Sequence, residues 1–183
     1  MRNAKQDVLH FWFEETAPVQ WFQINPEFDL EITQRFADLY RMTADGLCDG
    51  WATDADGALA LIIILDQFSR NMFRGLPSAY AMDRKALEIA AQAIDKGFDQ
   101  IHPPLRRRFF YLPFEHSENM EDQIKSIHFF ERMKDIDPIS FTHAQRHFQT
   151  IKTFGRFPHR NSIYGRATTA SEEKYLTETQ QSR

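Results

Sequence analysis

Helical periodicity dominates the pattern of apolar and polar positions. Phe28, Ile32, Phe36, Leu39 and Tyr40 fall on one face at helical spacing. The apolar run Ala58–Leu65 has the length of a buried strand. Leu61, Leu65, Phe68 and Met72 carry the helical period past its end, so a central buried helix is predicted, closed by Gly75 and Pro77. Ser78 is the expected N-cap of the next helix, with Tyr80, Leu87, Ala91 and Ile94 as its stripe and Gly97 as its stop. Pro103 and Pro104 open a short helix through Leu105, Phe109 and Leu112, which Pro113 ends. Met120, Ile124, Ile127 and Phe130 stripe another. Asp137 and Pro138 form an N-cap and first-turn pair for a helix carrying Phe141, Ala144, Phe148 and Ile151, with Gly155 as its stop. Thr169 and Glu172 have capping-box spacing for a last short helix.

No strand or hairpin pattern competes with these signals, so the expected fold class is all-α. Helices joined by short loops imply antiparallel neighbours. There is no low-complexity linker and no exact internal repeat. With 183 residues, one helical domain over residues 1–183 is expected.

Composition sharpens this picture at a few points. The chain has 17 Phe against 3 Trp and 5 Tyr, and rings without a polar tip belong mostly in a core. The lone Cys48 excludes an internal disulfide. The start, MRNAKQDVLHFWFEE, interrupts its apolar stretch with charges, unlike a secretory signal. The longest apolar run falls far short of the roughly 20 residues of a membrane helix. A cytoplasmic protein without a membrane partner is therefore expected. The Phe excess leaves the oligomeric state open.

The net charge of -4 speaks against a nucleic-acid partner. Its distribution is uneven. Glu115 to Asp137 holds seven acids against three cations, whereas Pro138 to Ser171 holds no Asp or Glu. The second stretch carries Arg146, Lys152, Arg156, Arg160 and Arg166, with His143, His147 and His159.

Three segments carry candidate chemistry. In LDQFSRNMFRG, Asp66 and Arg70 stand four apart, a favourable helical pair, with Asn71 on a neighbouring strip. They form either a polar face that locks helices together or the wall of a ligand site. In LPFEHSENMEDQ, Glu115 adjoins His116, and a carboxylate beside an imidazole can orient it for acid–base work or satisfy a helix end. In FGRFPHRN, Arg156, His159, Arg160 and Asn161 crowd a turn after a helix, and Arg166 follows. Guanidinium groups bind carboxylate or phosphate bidentately, and a histidine titrates near neutrality. The same cations could instead pair with the acids of residues 115–137. His143 and His147 have metal-ligand spacing, but no Glu or Asp lies between or after them on that helix, so neither metal nor cofactor is expected.

The strings LDQFSRNMFRG, YLPFEHSENMEDQ and FGRFPHRN, followed by GRATTASEEKYL, resemble the bacterial family catalogued as domain of unknown function 924. The family's usual Leu is Tyr164 here, outside the three motifs. The resemblance covers nearly the whole chain. It implies antiparallel helix hairpins stacked in a tetratricopeptide-repeat-like array, in bacterial cytoplasm. It brings no established activity.

Three functions remain at this level. The first is a binding module in which Arg156, Arg160, Arg166, Asn161, Asp66, Arg70 and Asn71 take an anionic small molecule or a peptide carboxylate. The second is an enzyme with His159 or His116 as acid–base group, Glu115 beside it, and Arg156 and Arg160 stabilising negative charge. The third is a scaffold whose polar motifs are internal helix ties.

Overall fold

The computed structural model describes residues 3–181, and these form helices and turns with no strand among them. In chain order the α-helices are α1 (Ala4–His10), α2 (Pro26–Ala44), α3 (Ala55–Ile62), α4 (Ser69–Met72), α5 (Asp83–Asp95), α6 (Phe98–Ile101), α7 (Pro104–Glu115), α8 (Met120–Glu131), α9 (Pro138–Phe154) and α10 (Ala170–Gln181). None of the described helices is long and apolar enough to cross a membrane. The chain divides into two compact units. One comprises Met1–Arg74 and Ser78–Pro113; the other comprises Gly75–Pro77 and Phe114–Arg183.

The first unit is built round the predicted central helix. Asp54 caps it by accepting from the Gly57 N–H at 2.8 Å. The helix runs as α3, then one π-helical stretch, Ile63–Phe68, then α4. Every residue from Gly57 to Ser69 is buried. Its apolar side chains meet α2, where Phe28, Ile32, Phe36 and Tyr40 are buried as the spacing predicts. Phe11 and Phe36 pack against Phe68, with centroids 5.9 and 4.8 Å away. Trp12 and Trp21 stack beside Phe109, and the Trp21 indole N–H donates to the Trp12 carbonyl at 2.8 Å. At Gly57 a Cβ would stand 2.0 Å from the Trp51 carbonyl oxygen, so only glycine lets the helix approach that preceding 3-10 turn.

Two expectations for this unit change. Ser78 does not cap α5: it lies in a 3-10 turn, Pro77–Tyr80, and α5 begins at Asp83. The buried stripe of α5 is Ala86, Ile89, Ala90 and Ala93, not Leu87, Ala91 and Ile94. Alanine at three of these positions lets α5 lie close to α3, while the larger residues sit at the margin. Pro113 also fails to end α7, which continues to Glu115. A proline so near the C-terminus forfeits a single backbone bond and leaves little helix beyond it to distort.

In the second unit, α8 and α9 pack on each other across a connection of residues 132–137. The predicted caps are present. Asp137 accepts from the Ser140 N–H at 3.2 Å, and Gly155 ends α9 with φ +69°. Thr169 and Glu172 form the reciprocal capping box of α10. The face of α8 differs from expectation. Ile124 is exposed, and Gln123, Ser126 and Phe130 are buried. Gln123 occupies that face because its Nε2 donates to the carbonyls of Phe114, Glu115 and Ser117, closing the end of α7.

Candidate functional site

Glu115 is the last residue of α7, held where Gln123 caps the helix end, and only 4% of its side chain is exposed. Its Oε1 lies 2.9 Å from Nδ1 of His147, in the middle of α9. The same Nδ1 lies 2.9 Å from the backbone oxygen of His143, one turn earlier. The His147 ring meets Phe157 edge-on at 5.2 Å. Phe157 is itself fully buried and carries two further groups. The Arg160 guanidinium lies over its face, 4.6 Å from the centroid, and the His159 ring is 5.5 Å away. Arg160 is buried, and its Nη2 donates to the His116 carbonyl at 3.0 Å. Phe157 is thus a platform on which His147, His159 and Arg160 gather.

The tight turn after α9 makes this gathering possible. Gly155 stops the helix in the left-handed region, and Pro158–Arg160 forms a 3-10 turn. Glu118 fastens the turn from outside. Its carboxylate accepts the Phe157 N–H at 2.8 Å and both Arg166 guanidinium N–H groups at 2.9 and 3.1 Å. Burial pushes the Glu118 carboxyl up, but Arg166, the Phe157 N–H and the Arg160 charge together bring it below the usual range.

Arg156 points to a different partner. Its Nε and Nη2 donate to the two Glu172 oxygens at 2.7 and 2.9 Å, and Nη2 also donates to the Ala167 carbonyl. Glu172 is buried. The Arg156 guanidinium first, then the Thr169 N–H, hold its carboxyl far below the usual carboxylate range. Asn161 is fully buried, and its Nδ2 donates to Thr168 Oγ1 at 3.4 Å.

Of the residues singled out from the sequence, the second unit thus gathers Glu115, His159 and Arg160 round Phe157. Arg156, Arg166 and Asn161 make fastening contacts nearby in the chain. The carboxylate that the sequence sets beside His116 hydrogen-bonds His147 instead. His147 and Phe157 were not among the predicted site residues. The spacing of His143 and His147 holds a signal, because the first histidine's carbonyl orients the second's ring. Among the described residues, no group of three or more His, Cys, Asp or Glu is placed to hold a metal ion.

Asp66, Arg70 and Asn71 belong to the first unit and bond within it. Asp66 has no exposed surface, and Arg70 lies 3.0 Å from its Oδ1 while forking onto Asp83 at 2.9 and 3.1 Å. Burial pulls the Arg70 guanidinium down, and the two carboxylates more than reverse it. Asn71 and Arg74 both donate to Asp29 of α2. These contacts tie α2, α5 and the central helix together.

Fold and site therefore define an all-helical protein with a buried carboxylate that holds a half-buried histidine. The sequence model of a family described as bacterial protein of unknown function (DUF924) matches residues 8–180, and the chain belongs to that family. It is similar to the protein of unknown function ATU0120 from Agrobacterium tumefaciens, whose solved structure superimposes with a TM-score of 0.89 at 38% sequence identity, covering 95% of this chain and 97% of that one. No curated protein matches the chain.

Proposed function

We propose that the second unit binds an anionic group of a small molecule or of a peptide carboxylate, through the His147 ring and the Arg160 guanidinium beside Phe157. The observation that carries this reading is the pairing of Glu115 with His147. It fixes the ring's orientation and favours its cationic form, next to an arginine that shares the same aromatic platform. His159, exposed at the edge of that platform, is suited to lengthening the contact. Arg156 and Arg166 serve the site indirectly, by forking onto Glu172 and Glu118. In this reading α8 and α9 act as a tetratricopeptide-like hairpin, and the protein works in the bacterial cytoplasm.

The test is thermal stability of the full chain with a panel of carboxylate and phosphate compounds, compared with His147→Gln and Arg160→Ala. A ligand present at about 100 times its Kd stabilises wild type by roughly 2.7 kcal/mol. That rise disappears in both variants if the reading is right. A rise of equal size in His147→Gln would sink it.

The same pairing favours a second reading, an enzyme in which His147 moves a proton and Arg160 steadies the negative charge that results. His116 and His159 then flank the site rather than carry the proton. An activity indifferent to His147→Gln, once a substrate is found, contradicts this version.

A further inference from the structure

The two neighbours of Nδ1 in His147 settle how the ring is protonated. One is the Glu115 carboxylate and the other is the His143 backbone carbonyl, which can only accept. Nδ1 must therefore carry the hydrogen, shared between the two oxygens. In the neutral ring the lone pair sits on Nε2. Nε2 has no hydrogen-bond partner among the described residues, and the side chain keeps 29% of its surface exposed. A neutral ring thus presents a lone pair to an incoming anion and repels it. A protonated ring presents an N–H donor and a positive charge.

The charged groups acting on the ring are Glu115 from α7 and Arg160 from the turn after α9, with the His143 carbonyl on its own helix, His159 across Phe157, and the Glu118–Arg166 pair fastened to the turn that carries Phe157. Protonating Nε2 adds one positive charge to this group and replaces the lone pair with a donor. We infer that this site takes an oxyanion on Nε2 of His147 and takes up a proton there as the anion binds. The inference rests on the anion-binding reading above and specifies its chemistry. The proton comes from solvent, the new bond is an Nε2–H···O hydrogen bond, and no covalent bond in the ligand is broken. By linkage, the proton strengthens anion binding as much as the anion strengthens protonation. Burial pulls the ring's pKa down, but the Glu115 hydrogen bond and charge raise it above its usual value, which favours the charged form.

The experiment is titration calorimetry of the full chain with sodium sulfate and, separately, sodium acetate, between about pH 6 and pH 8.5 in two buffers of unlike ionisation enthalpy. Neither anion titrates in that range. Above the ring's pKa, affinity should fall about tenfold per pH unit, with proton uptake approaching one per anion. His147→Gln should lose both the uptake and the pH dependence. Glu115→Gln, which keeps an acceptor at the same place, should move the whole dependence to lower pH. Binding of acetate alone identifies a carboxylate ligand, and binding of sulfate alone a tetrahedral oxyanion such as a phosphate group. Anion binding without proton uptake overturns the inference and leaves the anion-binding reading intact. Failure of both anions to bind even at about pH 6, the acid end of the range, overturns both. Nitrogen-15 spectra of wild type give an independent readout: a neutral His147 with its hydrogen on Nε2 contradicts the inference even if the variants fail to fold.

Discussion

The Glu115 carboxylate and the His147 imidazole are joined at 2.9 Å through the one ring nitrogen that also faces a backbone carbonyl. This relationship orients the ring, fixes its tautomer and raises its pKa. Stability should therefore depend on pH in a definite direction. A histidine whose pKa is raised by folding stabilises most below its unfolded value, about 6.5, and that contribution is lost as pH rises through the folded value. Urea unfolding from pH 6 upward should show a fall in wild type that is smaller in Glu115→Gln. An equal fall in both would remove Glu115 as the cause.

At the acid end the direction reverses. Glu172 is held low by Arg156 and by the Thr169 N–H. Its contribution is complete above its unfolded pKa, about 4.3, and is lost as pH falls toward its depressed folded value. Glu172→Gln removes the charge that grips Arg156 and weakens the cap of α10. The variant should lose helical circular dichroism and expose the α10 segment to protease at neutral pH. Unchanged protease resistance would contradict this role.

Of the glycines in the chain, Gly57 has the least room for a side chain. A Cβ there would stand 2.0 Å from a backbone oxygen, which cannot swing aside as a side-chain tip can. Gly57→Ala should cost about 3 kcal/mol or more, lowering Tm by roughly 6–12 °C for a chain of this size. A calorimetric scan decides this, and a shift within a degree of wild type would mean that the 3-10 turn yields.

The polar motif of the first unit should behave as a fastening. Removing Arg70 takes away the guanidinium that lies 3.0 Å from the fully buried Asp66 carboxylate and forks onto Asp83. Arg70→Ala should cost about 3–5 kcal/mol. Arg74→Ala breaks a more exposed pair with Asp29 and should cost about 1 kcal/mol or less. Denaturant midpoints of the two variants test this order.

Two helix caps whose partners lie within one turn were legible in the sequence, although Ser78 was not the cap it resembled. Asp137 with Ser140 and Thr169 with Glu172 are caps of that kind, and both form. The central helix was legible because its apolar period outlasts the length of a strand. The buried face of α5 was not, because periodicity favours large apolar residues, whereas close packing selected Ala86, Ala90 and Ala93. The face of α8 was hidden for a related reason: Gln123 is buried for its hydrogen bonds to the end of α7, a partner that no spacing within α8 reveals. The site followed the same rule. The motifs containing Glu115 and Arg160 stood out, but His147 lies on a different helix from Glu115, and only the packed helices bring the two together.

The most direct measurement is the nitrogen-15 spectrum of this chain labelled at histidine, recorded slightly above the His147 pKa with and without sulfate. Before sulfate is added the ring should be neutral with its hydrogen on Nδ1, and afterwards Nε2 should shift toward the protonated position, a shift absent in Glu115→Gln at the same pH. A His147 signal that ignores sulfate while the His159 signal responds would contradict proton uptake at Nε2.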